Sequence, residues 1–132
     1  MATLKTADGL RRISSGSSFE EAAGYSRAIV DGDSVLVAGT TGFNYADMSI
    51  EADAVAQTHQ CFANISAALA QANCSLDDVV RVRYLLTEPA LFNLLAPIFG
   101  HYFARARPAA TAMVVGLIDP RLKIEIEVDA RI

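Results

Sequence analysis

The chain has 132 residues, of which 52% are hydrophobic, with a mean hydropathy of +0.29 and a formal net charge of −4. This length suits a single domain spanning residues 1–132 and is too short for two full cores. No apolar run reaches the roughly 18–20 residues that cross a bilayer, and the scattered charge has no basic stripe to hold nucleic acid.

Cys61 and Cys74 have neither metal-site nor redox spacing, and the opening MATLKTADGLRR lacks the apolar stretch of a secretory leader. A reduced, cytoplasmic protein is expected. Its surplus of apolar side chains is expected to be covered in an oligomer interface, where burial is core-like.

In chain order, LRRISSGSSFEEAAGYS opens with a short strand and continues as a Ser/Gly-rich loop. RAIVDGDSVLVAGTTG reads as a hairpin: Ile29 and Val30 close one strand, Asp31-Gly32-Asp33 turns, and Val35 to Ala38 form the next. Gly39-Thr40-Thr41-Gly42 ends that strand at a polar corner, and FNYADMSIEAD follows as a surface loop. From about Asp53 to Asn73 the spacing of Val55, Phe62, Ile65 and Leu69 predicts a helix with one apolar face. Ser75 and Asp78 form a local cap, and Val79 to Leu86 is a strand.

TEPALFNLLAPIFGHYFARA predicts a second helix presenting Phe92, Leu95, Phe99 and Phe103. Because proline lacks an N–H, its regular part is expected to start close to Pro97. Ala110 to Val115 and Leu122 to Ile132 are the last two strands. In the final one Leu122, Ile124, Ile126, Val128 and Ala130 face one way and Lys123, Glu125, Glu127, Asp129 and Arg131 the other. The order β-β-β-α-β-α-β-β describes an α+β fold with both helices on one face of a sheet.

No phosphate loop, nucleophile elbow, zinc-binding helix or dinucleotide fingerprint is present. His59 lies one residue off the apolar stripe, which suits packing or surface exposure. His101, near the end of the second helix, suits a cap on the negative end of the dipole. Glu125 and Glu127 stand side by side at period two. If desolvated, such a pair raises its own pKa and can work as acid or base; if solvated, it is a polar face. Tyr25 and Ser26, in a loop of small residues, offer hydroxyls to a ligand. These residues alone define a small oligomeric α+β domain whose function stays open.

AAGYSRAIVDGDSVLVAGTTG, QTHQCFANISAALAQANCSLDDVVRVRYLL, FGHYFARARPA and KIEIEVDARI together resemble the Rid family (YjgF/YER057c/UK114-like, or RidA-like), over about Gly24 to Arg131. The resemblance implies a chorismate-mutase-like fold with a mixed sheet, assembled as a homotrimer whose small-molecule clefts lie between neighbouring subunits. It also implies hydrolysis of imines and enamines such as 2-aminoacrylate to keto acids and ammonia, with no metal and no organic cofactor.

By position, Tyr25 matches the family's loop tyrosine without its preceding proline, and Ala38-Gly39-Thr40 matches a Ser-Gly-Gln corner whose glutamine is replaced. Glu125 matches the carboxylate that orients the hydrolytic water. Ala110 stands where the family's Pro-Ala-Arg signature places the arginine that grips the substrate carboxylate, and Ala112 where a cysteine often follows. A methyl group cannot replace a bidentate guanidinium. The resemblance is therefore to a subgroup lacking the deaminase arginine; Arg81, Arg83 and Arg107 read first as surface residues and otherwise as cations that compensate from another direction.

Two functions from different classes follow. One is a cofactor-free hydrolase for a small imine or enamine, with Glu125 catalytic and Tyr25, Thr40, Thr41 and Ala110 at the ligand. The other is a non-catalytic trimer that binds or senses a small metabolite. The endoribonuclease activity attached to some family members is disfavoured by the missing basic stripe and the missing histidine pair.

Overall fold

The computed structural model describes residues 2–5 and 7–132, with only the backbone path of 2–5. The reading of the first twelve residues as free of a leader therefore falls partly on positions outside the described residues. Nine strands and three helices follow in order: β1 (Ala2–Lys5), β2 (Arg11–Ser14), α1 (Ser18–Ala23), β3 (Ala28–Asp31), β4 (Ser34–Thr41), β5 (Phe43–Asn44), β6 (Ser49–Ile50), α2 (Ala54–Gln71), β7 (Val79–Leu86), α3 (Ala90–Tyr102), β8 (Ala109–Val114) and β9 (Ile124–Arg131). Seven strands make one sheet, in the order β1-β2-β3-β4-β9-β7-β8, and β5 pairs with β6 outside it. All neighbours in the large sheet are antiparallel except β7 and β8, which are parallel and joined by α3 as their crossover.

The alternation of β9 decides which face is covered. Ile124, Ile126, Val128 and Ala130 are buried under the helices, while Glu125, Glu127 and Asp129 stand on the opposite face. From α2, Cys61, Phe62, Ile65 and Leu69 are fully enclosed in the same cluster as Val35, Val37 and Ile126. Each large side chain there contributes roughly 1.5–3 kcal/mol of transfer free energy. α3 adds Leu95 and Phe99, and Phe99 stacks on Tyr84 of β7 with ring centroids 3.8 Å apart. Both helices lie on one face, as expected.

Besides β1, which the sequence reading does not include, the structure departs from that reading at four places. The Ser/Gly-rich loop contains α1, whose start is capped by the Ser17 hydroxyl accepting from Phe19 N–H and whose end is capped by Gly24 at φ 74°. The strand read as ending at Ala38 continues to Thr41, because a bulge re-registers it: Val37 pairs with Val128, but Thr40 pairs with Ile126. The loop after it folds into the β5–β6 ladder and buries Phe43.

Pro97 lies inside α3 instead of near its start. Both Pro97 and Asn93, whose carbonyl loses its helical donor, are on the solvent side, where water can replace that hydrogen bond. The predicted Ser75/Asp78 cap is present as a reciprocal capping box on a 3-10 turn, Leu76–Asp78.

Candidate functional site

The bulge in β4 builds the site. One extra residue between Val37 and Thr40 returns Thr40 to the helix side and leaves Thr41 paired with Glu125 of β9. Gly39 then lies against the Glu125 carboxylate so closely that an added Cβ would stand 2.7 Å from its Oε2. Glu125 is half-buried, and its carboxylate accepts no hydrogen bond from the described residues. Burial pushes its carboxyl above the usual glutamate range; the charge of Arg27 opposes this and Glu127 adds to it. Glu127, by contrast, is held at 2.9 Å by Arg83 of the neighbouring strand β7. The two carboxylates that looked equivalent in sequence are different groups.

Arg27 was not singled out in the sequence, yet it organises this corner. It precedes β3, and its carbonyl accepts from Ala38 N–H, which places its side chain on the face of the sheet that carries Glu125. The residue is 1% exposed. Its Nη1 donates to Gly39 O at 3.0 Å, Thr40 Oγ1 at 3.1 Å and Tyr45 Oη at 3.1 Å. The guanidinium carbon lies 5.6 Å and 5.1 Å from the ring centroids of Tyr25 and Tyr45. No carboxylate of the described residues pairs with it, and its Nε is buried without an acceptor. A buried, permanently charged group without a counter-ion is costly, and its charge acts on the Glu125 carboxyl, which it holds down.

Tyr45, also unmarked in the sequence, accepts from Thr41 N–H at 3.1 Å and lies 3.1 Å from Thr41 Oγ1. Asn64 of α2 fixes the same turn by donating to Thr41 O and Phe43 O at 3.0 and 2.8 Å. Tyr25 is partly exposed, with its phenol pushed up chiefly by burial. Thr40 is fully enclosed, its hydroxyl donating to Ala38 O at 2.7 Å and accepting from Arg27. It shapes the corner from inside and presents no side chain to a ligand. Thr41 remains at the rim.

Ala110 is elsewhere. In the parallel ladder it pairs with Val82, as Ala112 pairs with Tyr84, so both methyl groups lie on the helix side of the sheet. They line a cavity of about 510 Å³ with Tyr84, Phe92 and Phe99. The strand of Ala110 is not the neighbour of the strand of Glu125, because β7 runs between them. The Glu125 corner and the Ala110 cavity therefore lie on opposite faces of the sheet in one chain. Of the three candidate arginines, Arg83 is paired with Glu127, Arg81 lies opposite Asp129 in the ladder, and Arg107 lines the Ala110 cavity. His59 is exposed, one of the two expected outcomes, with its Nδ1 2.7 Å from Tyr102 Oη.

The family model described as Endoribonuclease L-PSP matches residues 15–132. The chain belongs to that family, the Rid or YjgF/YER057c/UK114 proteins. Among solved structures, the Rid-family protein Rv2704 of Mycobacterium tuberculosis superposes with a TM-score of 0.84 at 39% identity, covering 93% of this chain and 99% of that one. The α+β fold is thus the Rid fold. The uncharacterized protein SCO2049 of Streptomyces coelicolor is 35% identical over 126 residues, 95% of this chain and 94% of its own length. A Rid relative named 3-aminoacrylate deaminase RutC, from Acinetobacter baylyi, is 35% identical over 74 residues, 56% of this chain and 59% of its own. Among the described residues no helix is long and apolar enough to cross a membrane, and no group of three or more His, Cys, Asp or Glu is placed to hold a metal ion.

Proposed function

We propose that this Rid protein is a cofactor-free hydrolase of a small imine or enamine, with Glu125 as the general base. The observation that carries the reading is the Glu125 carboxylate itself: half-buried, without a hydrogen-bond donor, backed by Gly39 and facing the charge of Arg27. A carboxyl raised by burial is a better base than an ordinary glutamate and is suited to take and return a proton. Glu125 removes a proton from water as its oxygen bonds to the imine carbon. Glu125 returns that proton to the nitrogen, giving the carbinolamine, and then carries the hydroxyl proton to the same nitrogen as the C–N bond breaks, releasing ammonia and the carbonyl product. Tyr25 and Thr41 border the ligand at this corner. A relative bearing the name 3-aminoacrylate deaminase supports the reaction class.

The placement of Glu125 and Ala110 on opposite faces supports a further part of the reading. A ligand that meets both Glu125 and the Ala110 cavity cannot do so within one chain, since the sheet separates them. We therefore infer a homotrimer in which one copy supplies the Glu125 corner and its neighbour the Ala110 cavity. The two buried free cysteines fit a reducing compartment such as the cytoplasm. The net charge of −4 gives no support to RNA cleavage.

The test generates 2-iminobutyrate or 2-aminoacrylate in situ with a dehydratase and follows keto-acid formation with and without the protein, then repeats the assay with imines of larger amino acids. Acceleration that Glu125→Gln abolishes is the expected result. No acceleration with any imine would favour the non-catalytic metabolite-binding trimer. Activity that survives Glu125→Gln would remove Glu125 from the mechanism.

A further inference from the structure

The cavity beside Ala110 has features that a substrate-carboxylate arginine at that position would have erased. Its floor is Val82 and Tyr84 of β7 with the methyl groups of Ala110 and Ala112 of β8, and its wall is Phe92 and Phe99 of α3. Tyr84 and Phe99 are already stacked, and Phe92 meets Phe99 edge-on with centroids 6.4 Å apart. A volume of about 510 Å³ lies within the range of small-molecule pockets, and alanines at the alternate positions 110 and 112 leave these rings uncovered. The floor and wall described so far are entirely apolar or aromatic.

The cavity has one cation. Arg107 lines it where the chain leaves α3 and turns into β8. Its backbone is held in the left-handed region, φ 44°, with its N–H donating to Phe103 O at 3.0 Å. A non-glycine residue kept there is strained, and such strain persists where the surroundings require it. No carboxylate of the described residues pairs with Arg107, whereas Arg83 is paired and Arg12 and Arg121 are each held by a nearby aspartate.

We propose that this cavity selects carboxylates carrying an aryl group. The ring seats among Tyr84, Phe92 and Phe99 over Ala110 and Ala112, and the carboxylate is held by Arg107. Resting on the hydrolase reading above, this names its substrate class as 2-imino acids with an aromatic side chain. The loss of the arginine at position 110 then changes the ligand instead of ending the function. Aromatic walls recognise a ring by offset and edge contacts, and a guanidinium recognises a carboxylate by paired charge-assisted hydrogen bonds.

The probes are 3-phenylpropionate, its neutral analogue 3-phenylpropan-1-ol, and propionate, titrated into the full-length protein by calorimetry with NMR mapping. Expected is binding of 3-phenylpropionate in the millimolar range or tighter, shifting Tyr84 and Phe99 resonances, with propionate at least tenfold weaker. Arg107→Gln should weaken 3-phenylpropionate about tenfold and leave the alcohol unchanged. Ala112→Phe, or Ala110→Leu should the former not fold, should abolish binding of both aromatic probes. Failure of 3-phenylpropionate to bind, equal binding by propionate, or indifference to both kinds of variant overturns the proposal. Turnover of a small imine without phenylpropionate binding would overturn this inference alone. Binding without any imine turnover would overturn the hydrolase reading alone.

Discussion

A Cβ placed on Gly39 would lie 2.7 Å from Oε2 and 3.0 Å from Cδ of Glu125. A Cβ essentially never makes a non-bonded contact that short, so an alanine at position 39 must displace the carboxylate. The displaced group is the far end of a flexible side chain, so the fold can yield cheaply. Gly42 differs, because there a Cβ would meet Cα, Cβ and O of Gln57 at 2.8 Å each, on the backbone of a packed helix. Gly39→Ala is expected to lose most imine-hydrolysing activity while costing at most about 1 kcal/mol of stability, whereas Gly42→Ala should cost about 2–3 kcal/mol. Thermal melts set beside the keto-acid assay separate the two. A fully active Gly39→Ala would show that the present position of Glu125 is not the working one.

Arg27 acts on the same carboxylate through charge. Burial raises the Glu125 carboxyl and Arg27 restrains that rise. Without the guanidinium, the proton should be held to higher pH. Arg27→Gln is expected to move the acid limb of the rate profile upward, while Arg27→Lys, which keeps a cation, should move it less. Both variants give up hydrogen bonds to Gly39 O, Thr40 and Tyr45, costing about 1–3 kcal/mol. Loss of stability alone would lower the profile without displacing its limb, so the position of the limb is the readout. An unmoved limb in Arg27→Gln would remove the electrostatic role.

Glu125 itself gives a stability signature that needs no substrate. Its carboxyl is raised in the folded protein, so the folded state holds that proton more tightly than the unfolded chain. Stability from this group is therefore present below the ordinary glutamate value and falls as pH rises through the raised folded value. Glu125→Gln removes the dependence. The variant should melt at or above the parent at pH 7, and the difference should shrink or reverse at pH 3. A variant less stable than the parent at pH 7 and equal to it at pH 3 would mean that the carboxylate is stabilised in the fold, contrary to its burial.

Much of this framework was readable from local pattern. The alternation of Ile124, Ile126 and Val128 with Glu125 and Glu127 announced a strand with one covered face, and the spacing of Phe62, Ile65 and Leu69 announced the face of α2. What escaped was set by contacts between distant segments. Arg27 reads as an ordinary charge ahead of a strand. Its burial comes from Tyr45, far along the chain, and from a β-bulge that no periodicity marks. The difference between Glu125 and Glu127 likewise depends on the strand beside each, where Arg83 meets one and Gly39 the other. The strands of Ala110 and Glu125 follow one another in sequence, yet β7 lies between them in the sheet, an order that no local pattern marks.

Gln57 shows how a polar side chain in α2 supports the site from behind. It is fully buried, its Nε2 donating to Glu51 O at 2.8 Å and Arg121 O at 2.9 Å while its Oε1 accepts from Lys123 N–H at 2.9 Å. Lys123 immediately precedes β9, so the amide fixes the start of the strand that carries Glu125. Gln57→Leu leaves two carbonyls and one N–H without partners and should cost about 2–5 kcal/mol. Gln57→Glu keeps the bond from Lys123 but turns a carboxylate toward two carbonyl oxygens, and should be no better. Denaturant unfolding measures both. A loss under 1 kcal/mol in Gln57→Leu would mean that water or a shifted loop satisfies these groups.

The sheet face opposite the helices carries the test of assembly. Leu36 is 47% exposed there and pairs in register with Asp129, beside the Arg83–Glu127 pair. An exposed leucine near a formed ion pair is the kind of position a second copy can cover, with apolar contact at the centre and charges around it. Light scattering of the wild-type protein should give three times the chain mass of 14.1 kDa. Leu36→Glu, which places an acid beside Asp129, should shift it toward the single-chain mass. Because Glu125 and the Ala110 cavity lie on opposite faces of one chain, the dissociated variant should lose turnover even though every residue of both half-sites is intact. A wild-type monomer, or a monomeric Leu36→Glu that retains full activity, would contradict a site shared between copies.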